Sequence, residues 1–166
     1  MRRFFLTILL LFAMMLGSSF AQPEIYILGP SGGYGGTGFT DEDIKENQDV
    51  RDVNIWTGPV VNGIKLINDV DWGQRYAAPT HGSDDGTQSV FTLQPGEYIT
   101  GISGKYGRFV DSIQIHTNLR VSPRYGGSGG SAEYIYEAPS GWEIAGFCGR
   151  SGDVIDAIGV VLRKQS

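Results

Sequence analysis

The chain has 166 residues, 40% of them hydrophobic, and carries 18 acidic against 13 basic residues for a formal charge of −5 at pH 7. That balance argues against nucleic acid or an anionic membrane surface as a partner, and a single cysteine excludes an internal disulfide. The length suits one domain whose core can stand without cross-links.

In chain order, residues 1–21 read as a secretory signal. Arg2 and Arg3 form a positive start, an apolar run extends from Phe4 to Leu16, and Ser19-Phe20-Ala21 places small residues where a signal peptidase inspects them. The run is shorter than the roughly 20 residues of a spanning helix, and no later stretch is apolar enough to insert in a membrane. Cleavage before Gln22 would leave 11 basic against 18 acidic residues, a formal −7. A secreted domain over residues 22–166, extracellular or periplasmic, is the expectation.

Beyond the signal the pattern is all-β. Glu24–Leu28, Val53–Trp56, Ile64–Ile67, Ser89–Leu93, Glu97–Ile102, Ser112–Thr117, Glu133–Tyr136 and Glu143–Phe147 alternate or run β-branched and aromatic, with turn residues between them. The acidic stretch from Thr40 to Asp49 is predicted as a solvated loop. Cys148 lies in an apolar strand, which predicts a buried, inert thiol. Trp56, Trp72 and Trp142, with Tyr98, Tyr106, Tyr125, Tyr134 and Tyr136, are assigned to packing rather than to a ligand platform.

Two internal repeats organise the chain. Tyr98–Ile115 aligns without a gap on Glu143–Val160, at an offset of 45 residues, so that Gly101, Gly104, Gly107 and Asp111 fall on Gly146, Gly149, Gly152 and Asp156. A weaker third copy at Gly58-Pro59-Val60-Val61-Asn62 has Asn in place of the Asp. Three copies suggest a pseudo-threefold arrangement of sheets. Out of phase with these, Gly32–Gly36 and Gly126–Gly130 share the pattern GGxGG, and His81–Gly86 sits where a degraded third copy belongs. Glycine loops let a backbone come close to a ligand and present bare N–H donors, and an ionised Asp accepts from two hydroxyls at once. The combination suits vicinal alcohols such as those of a sugar. Taken alone, each Gly-Asp turn could equally be a hairpin built for conformational reasons.

Together these residues resemble the jacalin-related lectins. The family's glycine loop is matched by Gly29-Pro30-Ser31-Gly32-Gly33-Tyr34-Gly35-Gly36, and its C-terminal GxxxD segment by Gly149-Arg150-Ser151-Gly152-Asp153-Val154-Ile155-Asp156-Ala157-Ile158-Gly159. The resemblance covers essentially all of residues 22–166 and is loosest between Thr37 and Ala78. It implies a β-prism I fold of three four-stranded Greek-key sheets, and a layout like that of the secreted zymogen-granule branch. It also implies a carbohydrate site of the mannose/glucose type. In that site Asp156 accepts from two sugar hydroxyls and the N–H groups of Asp153 and Val154 donate to ring and exocyclic oxygens. Gly152 opens the turn, and Gly36, with Gly35 as the alternative, closes the pocket. By the same carry-over Gly107, Arg108, Phe109 and Asp111 form a second site closed by Gly130, while Asn62 makes a third doubtful. Departures from the family pattern are Ser31 where an aromatic is common, Tyr34 placed to stack on a sugar face, and Arg108 in the second turn. Arg108 would favour an acidic or sulfated glycan or else be a solvated turn residue.

Rival functions find less support. Asp153 and Asp156 on one short turn cannot readily flank a scissile glycosidic bond at the ~5 to 9.5 Å such mechanisms use. His81 and His116 have no metal-ligand spacing, and no Ser or Cys nucleophile elbow occurs. A calcium binder using Asp84, Asp85, Asp153 and Asp156 lacks a recognisable metal loop. No catalysis, metal or cofactor is expected. A prism that has lost sugar binding and serves as a structural or protein-interaction module is the remaining alternative. Shallow hydroxyl-rich pockets bind weakly, so two sites or a homo-oligomer would supply avidity.

Overall fold

The structure is a computed structural model that describes residues 24–45, 48–70 and 73–165. The signal-like segment 1–21 and Trp72 lie outside the described residues. Thirteen strands among the described residues form three antiparallel sheets. The first sheet contains β1 (Ile25–Gly32), β2 (Thr37–Thr40), β12 (Trp142–Ser151) and β13 (Ile155–Lys164) in the order β1-β13-β12-β2. The second contains β8 (Ile99–Tyr106), β9 (Val110–Thr117), β10 (Tyr125–Gly126) and β11 (Ala132–Glu137) in the order β10-β9-β8-β11. The third contains β3 (Asp49–Thr57), β4 (Val61–Val70), β5 (Gln74–Ala77), β6 (His81–Gly82) and β7 (Thr87–Thr92) in the order β5-β4-β3-β7. Because β5 and β6 both pair with β4, the outer place that one strand fills in each of the other sheets is split here.

Each sheet is a Greek key around a central hairpin: β12–β13, β8–β9 or β3–β4. The three-sheet expectation therefore holds, and the 45-residue repeat corresponds to two of these hairpins. The first sheet differs in chain order, since its flanking strands come from the beginning of the described chain and its hairpin from the end.

Alternation dictates what faces inward. Val53 and Ile55, Ile64 and Leu66, Ile113 and Ile115, and Ile158 and Val160 are spaced by two along their strands and meet in one buried cluster with Phe91, Ile102, Tyr134 and Phe147. β13 departs from alternation, being buried from Ile155 to Arg163. Toward the C-terminal half of β13 the cover comes from the acidic stretch expected to be a solvated loop. Ile44 is only 7% exposed and forms a second cluster with Ala145, Cys148 and Val161 on the outer face of the first sheet. One isoleucine in an acidic run has no periodicity to reveal it, yet burying it contributes about 1.5 to 3 kcal/mol. Nearby, Arg163 is buried and donates to the Gln48 carbonyl and to the Asp49 and Glu143 carboxylates, which ties the same segment down.

The assignment of aromatics to packing stands for Trp56 and Tyr134, which are buried, and for Tyr106, Tyr125, Tyr136 and Trp142, which pack partly buried against the core. Cys148 is buried, and burial pushes its thiol up to about 11, with the nearby Asp41 and Glu42 adding to the shift. That is the direction of an inert thiol.

Candidate functional site

All three central hairpins turn at the same end of the molecule. The turns are Gly58–Val60, Gly107–Phe109 and Gly152–Val154, each closed by a hydrogen bond from the glycine N–H to the carbonyl two residues on, at 2.9 to 3.0 Å. In the last turn this bond uses Gly152 N–H, so the N–H groups of Asp153 and Val154 lie outside the internal bond of the turn. The glycine loops pack against the turns. Gly33 leaves no room for a Cβ because the Arg108 carbonyl lies against it, and Gly127 stands in the same relation to the Pro59 carbonyl.

Asp156, the second residue of β13, is 5% exposed. Its carbonyl accepts from Gly33 N–H at 2.8 Å, which docks the β1–β2 loop directly over its carboxylate. Gly35 and Gly36 then cover that carboxylate closely. A side chain at Gly35 would collide with Oδ1, and one at Gly36 would stand 2.6 Å from Oδ2 and strike the Ser151 backbone. Gly36 also has φ +61°, the left-handed region that side chains avoid. Both glycines are thus required by close approach. Among the described residues no protein donor engages the Asp156 carboxylate, and its oxygens are not among the buried atoms left without a partner, so they reach solvent and stay open to a ligand. The structure brings Gly35, Gly36, Gly152, Asp153, Val154 and Asp156 together at one place.

The second site repeats the construction. Gly127 N–H donates to the Asp111 carbonyl at 2.8 Å, Gly129 sits against Asp111 Oδ1, and Gly130, at φ +85°, would put a Cβ 3.0 Å from Oδ2. Gly107, Arg108, Phe109, Asp111 and Gly130 lie together around this turn. Arg108 is exposed, and its guanidinium lies over the Phe109 ring at 5.2 Å. This stacking keeps the charge on the turn itself.

At the third position the same docking bond runs from Ser83 N–H to the Asn62 carbonyl at 3.0 Å. Here Asn62 Nδ2 donates to the Asp85 carbonyl at 3.0 Å, which commits the amide nitrogen to its own loop. The third copy therefore lacks the anionic acceptor, and only a neutral amide oxygen remains in its place.

Two features escaped the sequence reading. His81, within the degraded third loop, is buried, stacked on Phe39 with ring centroids 3.9 Å apart, and paired through Nε2 with Asp41 Oδ1 at 2.7 Å. Asp41 in turn accepts from Phe147 N–H at 2.9 Å. This contact joins the first and third sheets, and only the fold brings positions 41 and 81 together. The second is Arg150, whose Nε and Nη2 each donate at 2.7 Å to the carbonyls of Gly35 and Gly36.

Among the described residues no group of three or more His, Cys, Asp or Glu is placed to hold a metal ion, and no helix is long and apolar enough to cross a membrane. His116, half-buried, bonds through Nε2 to the Ser103 hydroxyl at 2.8 Å.

Comparison with known proteins agrees with the geometry. A model of the jacalin-like lectin domain matches residues 28–161. Horcolin from Hordeum vulgare is 32% identical over 136 residues, covering 77% of this chain and 92% of that protein. Myrosinase-binding protein 2 from Arabidopsis thaliana is 33% identical over 133 residues, covering 78% of this chain, which spans only 19% of that protein's length. Among solved structures, a mannose-specific jacalin-related lectin from Morus nigra in complex with mannose superposes with a TM-score of 0.72 at 27% identity, covering 88% of this chain and 97% of that one.

Proposed function

The chain belongs to the jacalin-like lectin family of carbohydrate-binding proteins, and from that premise we propose that it is a secreted, non-catalytic lectin for mannose- or glucose-type glycans. The observation that carries this reading is the Asp156 carboxylate, on a residue 5% exposed overall, free of protein donors among the described residues and roofed by two glycines that no side chain could replace. A pair of sugar hydroxyls supplies the two donors such a carboxylate lacks. The N–H groups of Asp153, Val154 and Gly36 supply the donors for the sugar's acceptor oxygens.

The repetition of this construction around Asp111 supports a second binding site on the same end of the molecule. Two sites so placed would engage two branches of one glycan or two glycans on one surface, multiplying a weak single-site affinity. The mannose-specific relative of known structure supports the choice of sugar.

A glycan array on the wild type, Asp156→Ala and Asp111→Ala tests the proposal. Mannose-containing glycans should bind the wild type, lose most of their signal in Asp156→Ala and lose part of it in Asp111→Ala. Wild-type binding that survives unchanged in both variants would refute the site. Silence of the wild type across the array would favour the structural or protein-interaction module instead.

A further inference from the structure

Arg150, the next-to-last residue of β12, is outside the set of atoms placed to meet a sugar, yet it is the side chain that fixes the loop above Asp156. Its guanidinium holds two successive carbonyls, those of Gly35 and Gly36, each at 2.7 Å. A trans peptide unit is planar, so its carbonyl and the N–H of the following residue point in opposite directions. Drawing the Gly35 carbonyl toward Arg150 therefore aims the Gly36 N–H the other way, and holding the Gly36 carbonyl does the same for Thr37. Glycines offer no side-chain packing that would otherwise fix these planes.

The other two loops lack this device. The residue aligned with Arg150 in the second repeat is Lys105, whose ammonium lies 4.0 Å from Glu133. Its loop also rejoins the sheet one residue later, since β11 starts two residues after Gly130 whereas β2 starts directly after Gly36. A lysine is a point charge and cannot hold two carbonyls as a planar fork can. In the third repeat the aligned residue is Trp56, which is buried.

We propose that Arg150 is a positioning residue that sets the affinity of the first site by orienting the Gly35–Gly36 peptide, so that this site is preorganised and the second is not. The proposal rests on the sugar-binding reading. A loop free to turn its N–H groups away binds only in the fraction of molecules where they point inward, and apparent affinity falls by that fraction.

The test uses the full chain with Asp111→Asn, so that only the first site reports, and titrates it with methyl α-mannoside. Arg150→Ala should weaken binding about tenfold, and Arg150→Lys by an intermediate factor, with one equivalent bound at saturation throughout. In the free protein, the backbone ¹⁵N order parameter of Gly36 should fall in Arg150→Ala while those of β2 and β12 stay as in the wild type, a pattern that a purely structural role would not give. Unchanged affinity and an unchanged Gly36 order parameter in Arg150→Ala would overturn the proposal; if that variant does not fold, Arg150→Lys carries the same comparison. Should the Asp111→Asn protein bind no methyl α-mannoside, the sugar reading fails, and the Gly36 order parameter still decides whether Arg150 holds the loop.

Discussion

Glu97 offers a test of how the molecule is held together far from the Asp156 turn. It lies just before β8, at the opposite end of that strand from the Gly107 turn, and its side chain is 0% exposed. Burial pushes its carboxyl up, but the Arg120 guanidinium at 2.9 and 3.2 Å, the Gln94 N–H at 2.7 Å and the Thr117 hydroxyl at 2.7 Å outweigh burial and hold it at about 2. A carboxyl depressed in the folded state contributes stability above its ordinary value of 4.5, and that contribution is lost as pH falls toward 2. The full linkage is about 3 kcal/mol, trimmed to about 2 kcal/mol because Arg120 is 40% exposed to solvent screening. More than half should be gone by pH 3. Urea denaturation of wild type and Glu97→Gln at pH 7, 5, 4 and 3 measures this. The wild type should lose about 1 kcal/mol more than the variant between pH 7 and 3, and acid limbs running parallel would refute the argument.

Two further predictions concern the first site. Gly36→Ala places a side chain at φ +61° against the Asp156 carboxylate, which should cost about 1 to 2 kcal/mol of stability and reduce the sugar bound at saturation from two equivalents to one, as read by calorimetry. Tyr34 is 97% exposed, so Tyr34→Ala should leave the melting temperature unchanged. Its affinity for a mannotriose should fall about fivefold if the ring stacks on a sugar, and an unchanged titration would remove Tyr34 from the site.

What the sequence disclosed, and what it hid, follows from how each feature is encoded. The turns at Gly107 and Gly152 and the loops at Gly35 and Gly129 are legible because backbone conformation and close approach force the residue type at each position. Eight of the nine strands of six or more residues are legible because their segments alternate or run β-branched and aromatic, whereas β13, buried from Ile155 to Arg163, shows no alternation. The two-residue strands β6 and β10 escape, since two residues carry no period. Ile44 was misjudged because its neighbours are acidic and its partners Ala145 and Val161 lie about a hundred residues away. The Asp41–His81 pair and the Arg150 clamp were invisible for the same reason: a side chain that bonds a distant backbone leaves no local pattern.

The loop over the first site and the arginine that holds it are 115 residues apart, and the carboxylate lies further on still. A chain emerging from the ribosome completes β8 to β11, with the second turn and its glycine loop, well before β13 exists. The residues of the two turns are therefore synthesised at different times, those of the second first, although the core they stand on draws on all three sheets. The first is assembled only once β13 has been made and can carry Asp156 beneath the loop.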